Sequence, residues 1–515
     1  MATDRLSALP ARFDLVVIGG GITGAGVLRE AVRLGLSVLL VERDDFASAT
    51  SSASSKLVHG GLRYLSSGHW RLTLESVRER NRLLAEAPGL VEPQPFLLPV
   101  HGGAKPSRWL IQVGLFVYDL MAGRLRSRWI DADALCRLEP YVARENLKGA
   151  MAYEDARTDD ARLVQRLIED SRAAGATALN YVAVEDLVRD GDRVTGVVVR
   201  DALANAQRRI GADIVVNATG AWTRQFAPAT VAAPNLRPLR GSHFVFPRER
   251  LPITHAVSWL HPRDHRPIFA YPWEGAVVYG TTDLDHDPRQ LTAPRVTDDE
   301  AEYLFEGLAQ RFPTLKLSRA DAISTYAGVR PVVAGGAASP SAESRESALW
   351  SSPGLVSITG GKLTTFRVTA RHVLAEAAKQ LPRCAPQADA PAFDPASPPQ
   401  MPGIDAAVLR RLAGRFGAAC ARLLDETPRD ELVPIGDTPF TWAELRWSAR
   451  YEQVHRLEDL LLRRTRLGLV CRDGGDEHLP RIRAIVQRER GWDDARWDAE
   501  EAAWHTAWLE RHAPG

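Results

Sequence analysis

Residues Asp14 to Glu42, DLVVIGGGITGAGVLREAVRLGLSVLLVE, constrain the fold of this chain more than any other stretch. Leu15–Ile18 form a short apolar run suited to a buried strand, and Gly19, Gly21 and Gly24 then supply G-x-G-x-x-G. A helical pattern continues to about Leu34, and Ser37–Val41 read as a second strand ending at the acid Glu42. Strand, glycine turn, helix, strand and terminal acid in this order predict a dinucleotide-binding unit. The first glycine permits the tight turn, the second lets the backbone approach a pyrophosphate, and the third lets helix pack on strand. The helix N-terminus offers free N–H groups and partial positive charge to the phosphates. Glu42 can accept hydrogen bonds from ribose hydroxyls.

A chain of 515 residues is too long for one simple core, so two or three domains are expected. Its net charge of +1 gives no reason to expect a nucleic-acid partner. Cys136, Cys384, Cys420 and Cys471 lie far apart and form no C-x-x-C pair, so no metal or iron–sulfur site is expected. Few, scattered thiols suit a reducing cytosol. The opening MATDRLSALPARFD lacks the apolar core of a signal peptide. Leu110–Tyr118, the longest apolar segment, is too short to span a bilayer and reads as a core helix.

Behind the second strand, SATSSASS (Ser48–Ser55) runs through Lys56 into LVHGGLRYL. Small and hydroxylated side chains after a Rossmann strand read as a loop laid along the cofactor, because ligands sit at strand carboxyl ends in such sheets. His69–Leu84 look helical, and Asp159-Asp160 open another helix with an Asp as N-cap. Strands are expected around Tyr181–Val184 and Val194–Val199, and the apolar strand after Gly211 ends in the small-residue turn Asn217–Gly220. From Arg240 to Asp285 the pattern turns aromatic and strand-like, as in an antiparallel sheet laid over a cofactor domain. Thr297–Phe312 look helical. Leu355–Thr359 form a strand that runs into Gly360-Gly361-Lys362 and a helix from about Leu363, whose N-terminus would be a second anion site. Only six lysines occur, and Lys56 and Lys362 both fall in these motifs. Pro382–Pro402 read as a linker, and helices follow to the end, with Trp497, Trp504 and Trp508 at helical spacing for packing a small domain. An N-terminal Rossmann unit that leads into an interrupted sheet, without a second mononucleotide half, favours FAD over NAD.

Nine segments carry a resemblance in one order: IGGGITGAG (Ile18–Gly26), ATSSASSKLVHGGLRYL (Ala49–Leu65), GLFVYD (Gly114–Asp119), DDARLV (Asp159–Val164), VNATGAW (Val216–Trp222), GSHFVFP (Gly241–Pro247), YGTTD (Tyr279–Asp283), YAGVRP (Tyr326–Pro331) and GGKLTTFR (Gly360–Arg367). By these the chain resembles the FAD-dependent glycerol-3-phosphate dehydrogenases, the quinone-linked respiratory enzymes, in the form without an iron–sulfur domain. The resemblance implies an α/β fold: a Rossmann-type FAD-binding domain interleaved with a mixed or antiparallel-sheet substrate domain, plus a C-terminal helical domain. The expected division is FAD-binding over 1–90, 151–235 and 326–382, an insertion over 91–150, a substrate domain over 236–325, a linker over 383–402 and helices over 403–515.

The resemblance also implies hydride transfer from C2 of glycerol 3-phosphate to FAD, with electrons passed to a membrane quinone. It implies peripheral attachment to the cytoplasmic face of the membrane and a homodimer. His243 is the expected base for the substrate hydroxyl, since imidazole titrates near operating pH. Arg330 would steady the developing alkoxide or bind substrate. Arg63, Tyr64 and Arg345 would hold the phosphate, where an arginine gives a bidentate fork. Lys362 would favour anionic reduced flavin or the bound dianion. The expected cofactor contacts are Gly19, Gly21, Ile22, Thr23, Gly24, Glu42 and Arg43 in the fingerprint. They continue with Thr50, Ser51, Ser52, Ser55, Lys56, Leu57, His59, Gly60 and Gly61 in the loop. Val184, Ala218, Thr219, Gly220 and Trp222 follow, then Gly361, Lys362, Leu363 and Thr364. Two alternatives share the fold: an oxidase that reduces oxygen to peroxide, and an amine or amino-acid oxidase, which would want a carboxylate-binding arginine and an apolar slot.

Overall fold

The computed structural model describes residues 4–62, 70–103, 107–227, 233–336, 343, 346–387, 390–394 and 396–515. Strand β1 (Arg12–Ile18) leads through a glycine turn into helix α1 (Ile22–Arg33) and β2 (Val38–Val41). β2 is buried along its whole length and β1 over all but its first residues, as expected for strands sandwiched between helices. The Ser-rich loop leads to β3 (Leu57–Val58), after which come α2 (Trp70–Glu86), β4 (Val91–His101), α3 (Arg108–Ala122), β5 (Arg128–Asp131), α4 (Ala132–Leu138) and β6 (Leu147–Thr158). Helix α5 (Asp160–Ala173) starts where Asp159 accepts the Arg162 N–H as N-cap. Strands β7 (Thr177–Leu179), β8 (Val182–Asp190), β9 (Arg193–Asp201) and β10 (Ala206–Asn217) complete the first half.

The second half opens with β11 (Leu236–Pro247), β12 (Ala256–Leu260), β13 (Pro267–Trp273), β14 (Ala276–Gly280) and β15 (Leu284–Asp285). Helix α6 (Asp298–Arg311) is fixed at its start by a capping box between Thr297 and Glu300. β16 (Ser324–Val333), β17 (Ser347–Ser352), β18 (Leu355–Gly360) and α7 (Phe366–Ala378) follow.

Two sheets result. The first runs β17-β18-β10-β1-β2-β7, parallel from β18 to β7, with β9 antiparallel on β10 and β8 antiparallel on β9. Ile18 pairs with Asn217 on one side and Val41 on the other, so three strands end level, and a ligand crevice is expected just beyond them. The second sheet runs β15-β11-β14-β13-β12-β4-β6-β3, with β16 also on β11, and is antiparallel except where β12 meets β4. It is the antiparallel sheet that the aromatic Arg240–Asp285 segment predicts. Strands β4, β5 and β6 are not legible in the sequence, because Pro93, Pro95 and Pro99 interrupt the β4 pattern.

Beyond residue 403 helices predominate. Trp497, Trp504 and Trp508 are buried in one continuous core that also takes in Tyr271, Trp273 and Tyr326 of the second sheet. The C-terminal helices therefore share the second sheet's hydrophobic core. Helix α3 corrects one expectation. Leu115, Tyr118 and Ala122 face inward, but Trp109, Val113, Phe116 and Leu120 form a stripe on the outer side that is 50–68% exposed. The segment is apolar on both faces, and hydropathy alone cannot tell which face has a protein partner.

Candidate active site

The ends of β1, β2 and β10, the Ser-rich loop and one face of the second sheet enclose a single large cavity of about 1670 Å³. A pocket for one small ligand holds roughly 300–1,000 Å³, so this one has room for a dinucleotide and a substrate together. At one end it is lined by Gly19, Gly21, Ile22, Thr23, Glu42, Arg43, Val184, Ala218, Thr219, Gly220 and Trp222. Only glycine fits at Gly19, whose φ is +109° and whose added Cβ would lie 2.7 Å from the Ala218 carbonyl oxygen. A Cβ on Gly24 would lie 1.9 Å from the Gly19 oxygen, so this third glycine sets helix against turn and does not line the cavity. Glu42 accepts the N–H groups of Gly20 at 2.7 Å and Asp44 at 3.0 Å, which fixes its carboxylate at the edge of the crevice. Burial raises its pKa above the ordinary carboxylate range. The Arg43 guanidinium lies 4.3 Å from the Trp222 ring centroid, a flat platform beside Glu42. These residues fit an adenosine diphosphate portion.

The middle of the cavity is walled by the Ser-rich loop. Thr50, Ser51, Ser55, Leu57, His59 and Gly61 line it on one side, and Gly361, Lys362, Leu363 and Thr364 on the other. The Ser51 hydroxyl accepts the Ile22 N–H at 2.9 Å, so the loop is pinned to the start of α1. The loop is also gripped from behind. The Asp160 carboxylate accepts from the Ser54 N–H at 3.0 Å, the Ser54 hydroxyl at 2.7 Å and the Lys56 ammonium at 3.0 Å. Arg466 of the C-terminal region bonds the same carboxylate, and Tyr326 and Tyr271 donate to the Ser54 and Ser55 carbonyls at 3.1 and 2.6 Å.

Several expected contacts are revised by this arrangement. Lys56 is fully buried in that ion pair, away from the cavity, where burial and the Arg466 charge pull its ammonium down to about 8. Ser52 spends its carbonyl on Lys56, and Gly60 packs on Tyr118 and Asp155; neither lines the cavity. Helix α7 begins at Phe366, after an irregular Gly361–Thr365 segment, and not at Leu363. No helix N-terminus therefore meets Lys362, and the positive charge at this point is the side chain itself.

The substrate-sheet end is lined by Arg266, Thr281, Asp283 and Arg330. Asp283 is buried and holds both cations, at 3.2 Å from Arg330 and 3.5 Å from Arg266. Thr282 adds its carbonyl to each, at 3.4 and 2.8 Å. Two arginines around one carboxylate leave a net positive end suited to a small dianion, and Lys362, which donates to the Ser76 hydroxyl at 3.3 Å, lines the same cavity. Arg266 escapes a reading of the sequence: it opens the strand-like RPIFAYP without a catalytic motif of its own, and only the folded second sheet brings it to the carboxylate that also holds Arg330. Arg63, Tyr64 and Arg345 lie outside the described residues.

His243 departs from expectation in position. It is completely buried on β11, stacked on Tyr326 at 4.6 Å, and does not line the cavity. Its Nε2 lies 2.9 Å from the Ser55 hydroxyl, which does. Burial, then the charges of Arg330, Lys56 and Arg266, hold its pKa well below the usual histidine value. The imidazole is therefore neutral and reaches the cavity through one hydroxyl.

Comparison with known proteins bears on this geometry. Residues 14–374 match the family model described as FAD dependent oxidoreductase, and residues 356–497 match the C-terminal domain of alpha-glycerophosphate oxidase. The aerobic glycerol-3-phosphate dehydrogenase of Staphylococcus aureus (strain USA300) is 34% identical over 486 residues, 88% of this chain and 86% of that protein. The solved structure of glycerol-3-phosphate dehydrogenase from Bacillus halodurans complexed with FAD superposes with a TM-score of 0.77 at 28% identity, covering 97% of this chain and 95% of that one. The L-alpha-glycerophosphate oxidase of Mycoplasma pneumoniae with FAD bound, 16% identical, shares the fold with a TM-score of 0.57 over 75% of this chain and 99% of that one.

Proposed function

This chain belongs to the family of FAD-dependent glycerol-3-phosphate dehydrogenases, and on that footing we propose that it oxidises sn-glycerol 3-phosphate to dihydroxyacetone phosphate and passes the electrons to a membrane quinone. The observation that carries the reading is one continuous cavity that joins the dinucleotide fingerprint to the cationic Arg266–Arg330 end. Bound along the fingerprint and the Ser-rich loop, FAD would supply the hydride acceptor for C2. The chain's own residues do the rest. Arg330, Arg266 and Lys362 neutralise the phosphate dianion and orient the carbon skeleton. Arg330, fixed by Asp283, also offsets negative charge growing on the C2 oxygen. The proton of the C2 hydroxyl passes to the Ser55 Oγ as that hydroxyl gives its own to His243 Nε2. For this the imidazole carries its other proton on Nδ1.

Anaerobic mixing with glycerol 3-phosphate is expected to bleach the flavin, whereas amino acids leave it yellow. Arg330→Ala is expected to slow that bleaching by about 10²–10³-fold, the usual loss for one such donor. Bleaching by amino acids alone would overturn the substrate assignment. Reoxidation by oxygen with stoichiometric peroxide, and none by quinone, would favour an oxidase.

A quinone acceptor asks for contact with a bilayer, and the outer stripe of α3 fits one. No helix among the described residues is long and apolar enough to cross a membrane. Trp109, Val113, Phe116 and Leu120 are exposed, and Arg124, Leu125, Arg126 and Arg128 follow at the helix end. An apolar stripe with flanking arginines suits insertion into the interface of an anionic leaflet, on the inner face of the cell membrane. Phe116→Glu with Leu120→Glu should forfeit about 3 kcal/mol or more of apolar burial and cut flotation with phosphatidylglycerol vesicles at least a hundredfold. Flavin bleaching by glycerol 3-phosphate should be unchanged. Undiminished flotation would remove α3 from the role.

A further inference from the structure

The cavity has a second arm that the substrate chemistry leaves unused. Beyond β13 and β12 it reaches the C-terminal end of α6, where Arg311, His101 and Trp259 line it. Arg311 is 6% exposed, and among the described residues it pairs with no carboxylate. Its Nη1 donates to His101 Nε2, while its Nε has no hydrogen-bond partner. His101 Nδ1 is 2.9 Å from the Glu145 carbonyl, which fixes the proton on Nδ1 and makes Nε2 the acceptor, so the ring is neutral. Trp259 is 1% exposed, and its indole N–H is also without a partner.

A buried guanidinium is ordinarily compensated by a carboxylate. This one has a neutral imidazole, an aromatic ring 5.7 Å away and the negative end of a helix dipole, equivalent to about half a charge. Burial alone pulls it down to about 10, with no charged neighbour contributing. Such a group is costly to keep unless something that accepts hydrogen bonds comes to it.

The walls of the arm describe that visitor. Leu98, Val100, Ile111 and Val117 are apolar, and Leu110 and Val113 of α3 stand at the lip, continuous with the exposed stripe. The ligand is therefore mostly apolar, enters from the α3 face and ends in a hydrogen-bond acceptor. A phosphate would want a second cation here, and His101 is neutral. The His101 side of the arm lies away from Thr281, although Trp259 on β12 neighbours the start of β13, which Arg266 precedes. His101 on β4 and Thr281 after β14 are three strand spacings apart, about 14 Å.

Resting on the quinone reading above, we propose that Arg311 and His101 form the headgroup site of the electron acceptor, with Arg311 donating to a quinone carbonyl oxygen and the tail leaving along α3. In turnover, the hydride taken up by the bound cofactor and the proton released from the C2 hydroxyl would together supply the two electrons and two protons that turn the quinone into quinol; no further oxidant is needed. The Arg311 charge offsets the negative charge that builds on the carbonyl oxygen.

The test uses the oxidised holoenzyme and 2-methyl-1,4-naphthoquinone, with binding followed by quenching of tryptophan fluorescence. Arg311→Met is expected to weaken the naphthoquinone at least tenfold. The rate of anaerobic bleaching by glycerol 3-phosphate should stay within twofold, and Tm should not fall, because an uncompensated buried cation has been removed. Arg311→Lys keeps the charge and loses the planar fork, and should weaken the naphthoquinone at least threefold; it decides the matter if the methionine variant does not fold. An unchanged dissociation constant overturns the proposal. Weakened binding of glycerol 3-phosphate with naphthoquinone unaffected also overturns it, by assigning Arg311 to the substrate. If the wild type is not bleached by glycerol 3-phosphate, the substrate reading fails, and the naphthoquinone titration still judges Arg311 alone.

Discussion

Replacing His243 by alanine is expected to slow flavin reduction by glycerol 3-phosphate about 10²–10⁴-fold, the usual contribution of a positioned general base. Binding of the substrate should persist, because on the proposed reading its phosphate is held elsewhere, by Arg266, Arg330 and Lys362. Ser55→Ala should give a loss of the same order, since the Ser55 hydroxyl is the only bridge seen between the ring and the cavity among the described residues. The pH profile adds a sign. Burial and the charges of Arg330, Lys56 and Arg266 depress the His243 pKa well below its usual value. Above that depressed pKa the ring is already unprotonated and able to accept a proton. The reductive rate should therefore have no histidine limb between about pH 6 and 8. Stopped-flow mixing across that range checks both points: an unchanged rate in His243→Ala, or a wild-type rate that climbs with a pKa near 6.5, removes His243 from the role.

That His243 lies behind the Ser55 hydroxyl could not be read from GSHFVFP, whereas the cofactor crevice could be read from Asp14–Glu42. The difference is one of range. Gly19, Gly24 and Glu42 do their work against neighbours in the same β-α-β unit or the adjacent strand end, so their spacing records their geometry. The orientation of His243 depends on Tyr326 of β16 and on Ser55, 188 residues away in the chain. Lys56 misleads for the same reason. A lysine in a Ser-rich loop suggests a cation for phosphate, but its charge is spent on Asp160, 104 residues on. Arg266 and Arg311 carry no local pattern, and become notable only once the second sheet aligns them along a cavity. Helix α3 shows a further limit: an apolar run reports what a segment avoids, and among the described residues the outer stripe is nonetheless exposed.

The largest stability effect should come from Asp160, which joins the Ser-rich loop to the C-terminal helices. Lys56, Arg415 and Arg466 face Asp159, Asp160 and Glu444 in one cluster whose side chains are 0–1% exposed, three cations against three carboxylates. Removing one carboxylate leaves an uncompensated positive charge out of water, and breaking a buried pair in this way costs about 3–5 kcal/mol. At ~2.1 cal/mol/K per residue, a cooperative unfolding of 515 residues has an entropy of about 1.1 kcal/mol/K, so Asp160→Leu should lower Tm by about 3–5 °C. The flavin should also be lost earlier on heating, because Ser54 gives up both of its bonds to Asp160. Lys56→Met alone should destabilise by a similar amount, since it leaves one carboxylate in excess. The double variant restores neutrality, and should be more stable than the sum of the single losses predicts, by about 1–3 kcal/mol. Strictly additive losses in the double variant, or a Tm within 1 °C of wild type for Asp160→Leu, would mean that the cluster is screened and that packing of Trp497, Trp504 and Trp508 on the substrate sheet alone holds the C-terminal helices to the cofactor loop.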